Sequence, residues 1–136
     1  MTHIEGIPAD RVRDLMPLIK DAFDLMARKS GGRWETSDIV NIVEAHDMQL
    51  WLIFKGKAIR AVILTEIWNY PRRRALRLVA CVANGWKELI HHRADLWRWG
   101  QEQGCDLFEA LAPRKWLRAM PEFREYHVLM ECNGNG

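Results

Sequence analysis

Two carboxylates stand inside otherwise apolar, strand-like sequence: Glu66 in the run from Ala58 to Trp68, and Glu109 in the run from Asp106 to Leu111. Burial strips an acid of hydration and raises its pKa, so either residue has the makings of a general base near neutral pH. The competing reading is that each faces solvent or a structural arginine at a strand end. Guanidinium groups are at hand, because Arg72, Arg73, Arg74 and Arg77 form the densest positive cluster in the chain. On a hairpin loop that cluster would suit a phosphate group or a nucleic-acid backbone, or would simply be solvated.

Other reactive side chains are arranged less suggestively. His91 and His92 are neighbours, about 100° apart around a helix, and cannot grip one metal ion together. His91 and Asp95 have helical spacing but no third ligand close by, so no metal is expected. His46-Asp47 reads as the C-terminal cap of a helix rather than a catalytic pair. Cys81, Cys105 and Cys132 are odd in number and widely separated, which suggests reduced and mostly buried thiols. Trp97 and Trp99 flank Arg98 and cannot all face inward, so an exposed aromatic for a protein partner or a homodimer is expected there.

These residues need a frame to hold them. With 136 residues, 49% of them hydrophobic and 28% charged, the chain suits one domain around one core. A formal charge of +2 is too small to call for a nucleic-acid partner. The first residues form no signal peptide and no apolar run approaches a membrane span, so a cytoplasmic location and no membrane partner are expected.

Val12, Leu15, Met16, Ile19, Ala22, Phe23 and Met26 recur at steps of three and four, which predicts a helix from Pro8 to Arg28, kinked at Pro17. Thr36 or Ser37 is placed to cap a shorter helix carrying Ile39, Ile42 and Val43. The period then changes to two from Met48, giving a strand that turns at Lys55-Gly56-Lys57, an interior strand from Ala58 to Trp68, and a third from Ala75 to Ala83. The third should show Leu76, Leu78, Ala80 and Val82 on one side. A long helix follows from Trp86 to Gln103, with Trp86, Leu89, Ile90, Leu96 and Trp97 broadly on one face, ended by Gly104. After it come a strand from Asp106 to Leu111, a short helix from Pro113 to Met120 and a last strand from Tyr126 to Cys132. The expected domain is 1–132, with 133–136 as a disordered tail.

This order of elements, two helices, three strands, a long helix, a strand, a short helix and a strand, resembles the GNAT (GCN5-related N-acetyltransferase) fold along nearly the whole chain. The resemblance implies an α/β (α+β) domain: a mixed, mostly antiparallel sheet with helices on both faces and a splayed pair of parallel strands. It also implies transfer of an acetyl group from acetyl-CoA to an amine acceptor. The cofactor's pyrophosphate would lie on the residues joining the third strand to the long helix, Val82, Ala83, Asn84, Gly85, Trp86 and Lys87. Helix N-termini favour anions, so the placement is physically sound. Glu66 and Glu109 are the candidate catalytic bases.

The sequence departs from the family at two places. The family pattern Q/R-x-x-G-x-G/A is reduced here to Ala83-Asn84-Gly85, with one glycine. Aligning Glu122-Phe123 with the usual Gly-Phe puts Arg118 where many members carry a proton-donating Tyr. Short GNAT-like proteins with such losses resemble those encoded by bacteriophages, which would place the chain in a host cytoplasm or a virion. A catalytically inactive GNAT-fold protein acting through protein–protein contact is therefore the alternative reading.

Overall fold

The computed structural model describes residues 1–85 and 87–134. Trp86, one of the expected cofactor-loop residues, lies outside them, as do the last two residues of the expected tail.

The stripe read from the sequence is the buried face of helix α1 (Val12–Arg28), where Val12, Ile19, Phe23 and Met26 are inaccessible to solvent or nearly so. The helix continues through Pro17 without a break and is preceded by a 3-10 turn, Ala9–Arg11. Helix α2 (Thr36–Glu44) packs beside it and buries Ile39, Val40 and Val43. Its first turn is closed by Glu35, whose N–H donates to Asp38 Oδ2 at 2.8 Å. Thr36 does not cap; its hydroxyl donates to Asp24 on α1. His46 follows α2 at φ 65, and its N–H donates to Val43 O, so the helix ends in a left-handed backbone cap, as the cap reading of this residue anticipated.

Five strands form one sheet in chain order: β1 (His3–Ile7), β2 (Gln49–Lys55), β3 (Ala58–Asn69), β4 (Arg74–Ala83) and β5 (Leu107–Ala110). All neighbours are antiparallel except β4 and β5, which run parallel. β1 is not foreseen in the sequence: as an edge strand it exposes residues of both alternations and carries little periodic signal. On β2, Leu50 and Leu52 join α1 and α2, while Trp51 and Ile53 face helix α3 (Lys87–Glu102).

β4 departs from simple alternation. Leu64 pairs with Ala80 but Thr65 pairs with Leu78, which leaves Val79 as the extra residue of a bulge. Leu76 and Leu78 therefore face α3, whereas Val79, Ala80 and Val82 face α1 and α2. The single apolar side expected for this strand is split in two. On α3 the core stripe is Leu89, His92, Leu96 and Gly100, and Ile90 faces solvent. Gly100 lets the helix approach β4, since a Cβ there would lie 2.9 Å from Leu76 Cδ2.

The expected helix from Pro113 to Met120 is a 3-10 turn, Arg114–Arg118, and the expected last strand is not formed. Residues 126–132 carry no regular secondary structure.

Candidate functional site

Strand direction places the site. β4 and β5 are in register from Ala75 opposite Leu107 to Leu78 opposite Ala110, and a hydrogen bond from Leu111 N–H to Leu78 O at 2.9 Å closes the pairing. β5 stops there, while β4 continues to Ala83 with the Val79 bulge bending it. Past Leu78 the two strands part, and the last five residues of β4 have no partner on that side among the described residues.

Ala83, Asn84 and Gly85 then lead to the first turn of α3. Gly85 has φ 110, a backbone that residues with side chains rarely adopt. The N–H groups of a helix's first turn have no partner within the helix and carry its positive dipole end. Arg60, one residue before the Ala61–Ala83 pair, reaches the same spot, with Nε 3.8 Å from Glu88 Oε1 in the first turn of α3. Lys87 is exposed beside it. Val82, Ala83, Asn84, Gly85 and Lys87 are thus brought together at one junction, and Arg60 is a basic neighbour that its place in an interior strand concealed.

Glu66 and Glu109 also come together, through a residue the sequence did not single out for this role. Glu66 on β3, Arg77 on β4 and Glu109 on β5 are directly opposite one another across three strands. Arg77 Nη1 lies 3.3 Å from Glu66 Oε1, and its Nε donates to Glu109 Oε2 at 3.1 Å. Tyr70 accepts from Arg77 Nη2 at 2.9 Å and donates to the same Glu109 oxygen at 3.1 Å. Trp68 lies against the guanidinium, 4.4 Å from ring centroid to Cζ. The competing reading of the acids as partners of a structural arginine is therefore what the geometry contains.

The electrostatics follow from crowding. Burial pushes the Glu66 carboxyl above its ordinary value; Arg77 pulls it back, and the like charge of Glu109 adds to the rise. The hydrogen bond to Glu109, then burial, raise the Tyr70 phenol. Two carboxylates share one cation, so the ladder carries a surplus negative charge. Only one oxygen of each carboxylate bonds to Arg77, leaving Glu66 Oε2 and Glu109 Oε1 as the ladder's acceptors. The row sits one residue before the last pair of β4 and β5, at the root of their divergence.

Several expectations are corrected. Arg72, Arg73 and Arg74 lie on the β3–β4 hairpin, at the opposite end of β4 from the junction, too far to meet a phosphate bound there. Arg73 Nε instead pairs with Asp106 Oδ2 at 3.0 Å, and Arg74 Nε donates to Gln103 O at 2.9 Å. Trp97 stacks on Phe108 and Trp99 meets Trp51 edge to face, so both belong to the α3-side core and neither is the expected exposed contact. His92, not His91, meets Asp95, at 3.2 Å, and its other nitrogen bonds Thr2 Oγ1 at 2.8 Å. Cys132 is exposed, against the expectation of burial. Arg118 is exposed on its 3-10 turn.

A further concavity lies elsewhere. A groove of about 760 Å³, bordered by Ile7, Pro8, Met48, Gln49, Trp51 and Trp99, opens at the end of the sheet where β2 begins. None of the junction or ladder residues lines it. Among the described residues, no helix is long and apolar enough to cross a membrane, and no group of three or more His, Cys, Asp or Glu side chains is placed to hold a metal ion.

The sequence matches no model of a known protein family, and no curated protein is similar to it in sequence. Solved structures are similar in fold. An aminoglycoside acetyltransferase from an uncultured soil metagenomic sample, in complex with sisomicin, superposes with a TM-score of 0.71 at 10% identity, covering 97% of this chain and 95% of that one. A ribosomal-protein-alanine N-acetyltransferase from Brucella melitensis biovar Abortus 2308 gives 0.68 at 10% identity, with 98% and 100% covered. A predicted acetyltransferase with acetyl-CoA from Clostridium acetobutylicum gives 0.68 at 12% identity, with 98% and 96% covered. The fold is the mixed α/β fold of the GNAT acetyltransferases.

Proposed function

We propose that this chain is an N-acetyltransferase of GNAT type that binds acetyl-CoA where β4 and β5 part and passes its acetyl group to an amine. The observation that carries the reading is the parallel strand pair that ends at Leu78 and Ala110 beside a bulge, from which β4 runs on to Ala83 and the start of α3. The described residues suit the cofactor: Gly85 supplies a backbone turn of positive φ before α3, the first-turn N–H groups of that helix would favour its pyrophosphate, and Arg60 and Lys87 supply positive charge nearby. Glu88 in the first turn of α3 opposes a phosphate, and Arg60, 3.8 Å from it, offsets that charge.

When bound, acetyl-CoA supplies the acetyl group as a thioester. The chain's part is to hold that carbonyl and an amine in one place and to accept the proton the amine loses as it attacks; the thioester C–S bond breaks as the amide forms, and the proton passes on to the departing CoA thiolate. Glu66 is the better placed base, since burial already biases it toward proton uptake; Glu109, bonded to Arg77 and Tyr70 through one oxygen, serves as a second acceptor. Arg77 fixes both carboxylates. The surplus negative charge of the ladder favours an acceptor that arrives as an ammonium ion.

Titration calorimetry with acetyl-CoA tests this. Micromolar binding is expected, and Gly85→Pro or Lys87→Glu should weaken it tenfold or more, the first by removing an N–H donor and the second by placing negative charge beside the phosphates. Absence of heat at millimolar acetyl-CoA would sink the proposal. The second reading, a GNAT-fold protein without catalysis that works by protein contact in a phage-infected cytoplasm or a virion, draws on the single glycine at the junction and on Arg118 in place of a Tyr.

A further inference from the structure

His92 is a polar side chain set in the apolar stripe of α3, 4% exposed, with Leu89 and Leu96 a turn away on either side. Both ring nitrogens are engaged: Nδ1 lies 3.2 Å from Asp95 Oδ2, one turn along the same helix, and Nε2 lies 2.8 Å from Thr2 Oγ1. Thr2 comes just before β1, two residues ahead of Ile4, which packs into the α3-side core. The ring is shut away from water, whereas Thr2 is only half-buried and the Asp95 side chain is 42% exposed. A solute can therefore reach the hydroxyl without displacing the imidazole. The acetyl transfer proposed above uses none of the three residues.

The chemistry of the partners fixes the protons. An ionised carboxylate only accepts, so neutral His92 carries its proton on Nδ1 and donates it to Asp95. Nε2 is then a bare acceptor, and the Thr2 O–H is the donor to it. Arg98 Nη1, 3.4 Å from Asp95 Oδ1, holds the other carboxylate oxygen and leaves Oδ2 for the ring. Hydroxyl, imidazole and carboxylate thus stand in the order that makes an alcohol a nucleophile: a base within hydrogen-bonding reach, itself oriented by a third group.

We propose that Thr2, His92 and Asp95 form a reactive site of their own, at which the Thr2 hydroxyl is acylated by an activated carboxylic ester. Thr2 Oγ1 attacks the ester carbonyl as its proton passes to His92 Nε2. The ester C–O bond then breaks, and the departing alkoxide or phenolate takes that proton from the ring. The products are O-acylated Thr2 and the free alcohol or phenol. His92 handles the proton directly, and Asp95 is a positioning residue that keeps Nδ1 protonated. The reaction is independent of whether acetyl-CoA binds.

Treating the purified full chain with p-nitrophenyl acetate at about pH 7.5 tests it. Mass spectrometry of the fragment 1–11 should find an acetyl group on Thr2 that hydroxylamine removes, as it removes an ester and not an amide. That group should form at least about tenfold faster than any on the exposed Ser37. Thr2→Ser should keep the reaction and Thr2→Val should abolish it. Asp95→Asn should slow it about a hundredfold while circular dichroism stays unchanged. Arg98 would hold the carbonyl oxygen of the asparagine and turn its amide N–H toward His92, so nitrogen NMR should show the ring proton moved from Nδ1 to Nε2. Labelling of Thr2 no faster than that of Ser37, or an Asp95→Asn variant that is acetylated at the parent's rate, would overturn the proposal.

Discussion

Replacing Arg77 by Met should destabilise the chain far more at neutral pH than in mild acid. The side chains of Arg77, Glu66 and Glu109 are only 16%, 15% and 21% exposed, so these charges have given up most of their hydration. At 3.1 to 3.3 Å and an effective dielectric of about 20, each pair attracts by roughly 5 kcal/mol before desolvation is subtracted. Removing the cation leaves two carboxylates side by side without it, which costs about 3 kcal/mol net at pH 7.5. The acids answer by holding their protons. Glu66 is already raised in the parent by burial, and losing Arg77 removes the main influence that lowers it. A carboxyl whose folded pKa lies above its unfolded value binds more protons in the folded state between the two, so its penalty is absent below the unfolded value and complete above the folded one. Urea unfolding at pH 7.5 and at about pH 4.5, close to the ordinary glutamate value, should therefore show the variant's deficit shrinking by half or more in acid. An equal deficit at both pH values would refute the reasoning, as would a variant as stable as the parent at pH 7.5.

Three further expectations can be checked on the same preparations. Gly100→Ala gains about 1 kcal/mol of helix propensity but sets a Cβ 2.9 Å from Leu76 Cδ2 and 3.1 Å from Leu76 Cβ, an overpacking worth about 1 to 3 kcal/mol, so thermal melts should show a net loss near 1 kcal/mol. Phe23→Ala, at a fully buried position, should cost about 3 to 5 kcal/mol in denaturant unfolding, and Leu15→Ala, half-buried on the same stripe, about 1 to 2 kcal/mol; exposed Asp21→Ala should change little. Burial pushes the Cys81 thiol to about 12, so it should stay protonated and resist a thiol reagent at pH 8 until the protein unfolds, and Cys81→Ser should leave the native labelling rate unchanged.

The parts of the fold legible in the sequence are those with strong local periodicity. The α1 stripe, the turn to period two at β2, the continuous apolar run of β3 and the stop at Gly104 all follow from side-chain spacing and backbone preference. β1 escapes notice because an edge strand need not alternate cleanly, and the β4 bulge because one inserted residue leaves no compositional trace. That bulge also hides the ladder. Whether Arg77 stands opposite Glu66 and Glu109 depends on register across three strands, which no spacing along one strand reveals. Glu66 and Glu109 are identifiable in the sequence as acids in apolar surroundings, whereas nothing in the spacing of Tyr70 ties it to them. Trp97 and Trp99 mislead because a helix lying over a broad sheet has a wider buried face than one narrow stripe, so two residues apart can both pack.

The brevity of β5 bears on how the chain breathes. Four residue pairs hold β5 to β4, where nine join β3 to β4. Cooperative openings in a native protein draw on its weakest contiguous units, and the amides of Leu107 to Ala110 should exchange with solvent through a partial release that leaves the β2–β3–β4 meander intact. Such a release would widen the gap past Leu78 without global unfolding. A ligand lodged in that gap and touching both strands would bind only the closed form, so its affinity would be registered as slowed exchange in β5 while the meander's slowest amides rose only with the stability of the whole.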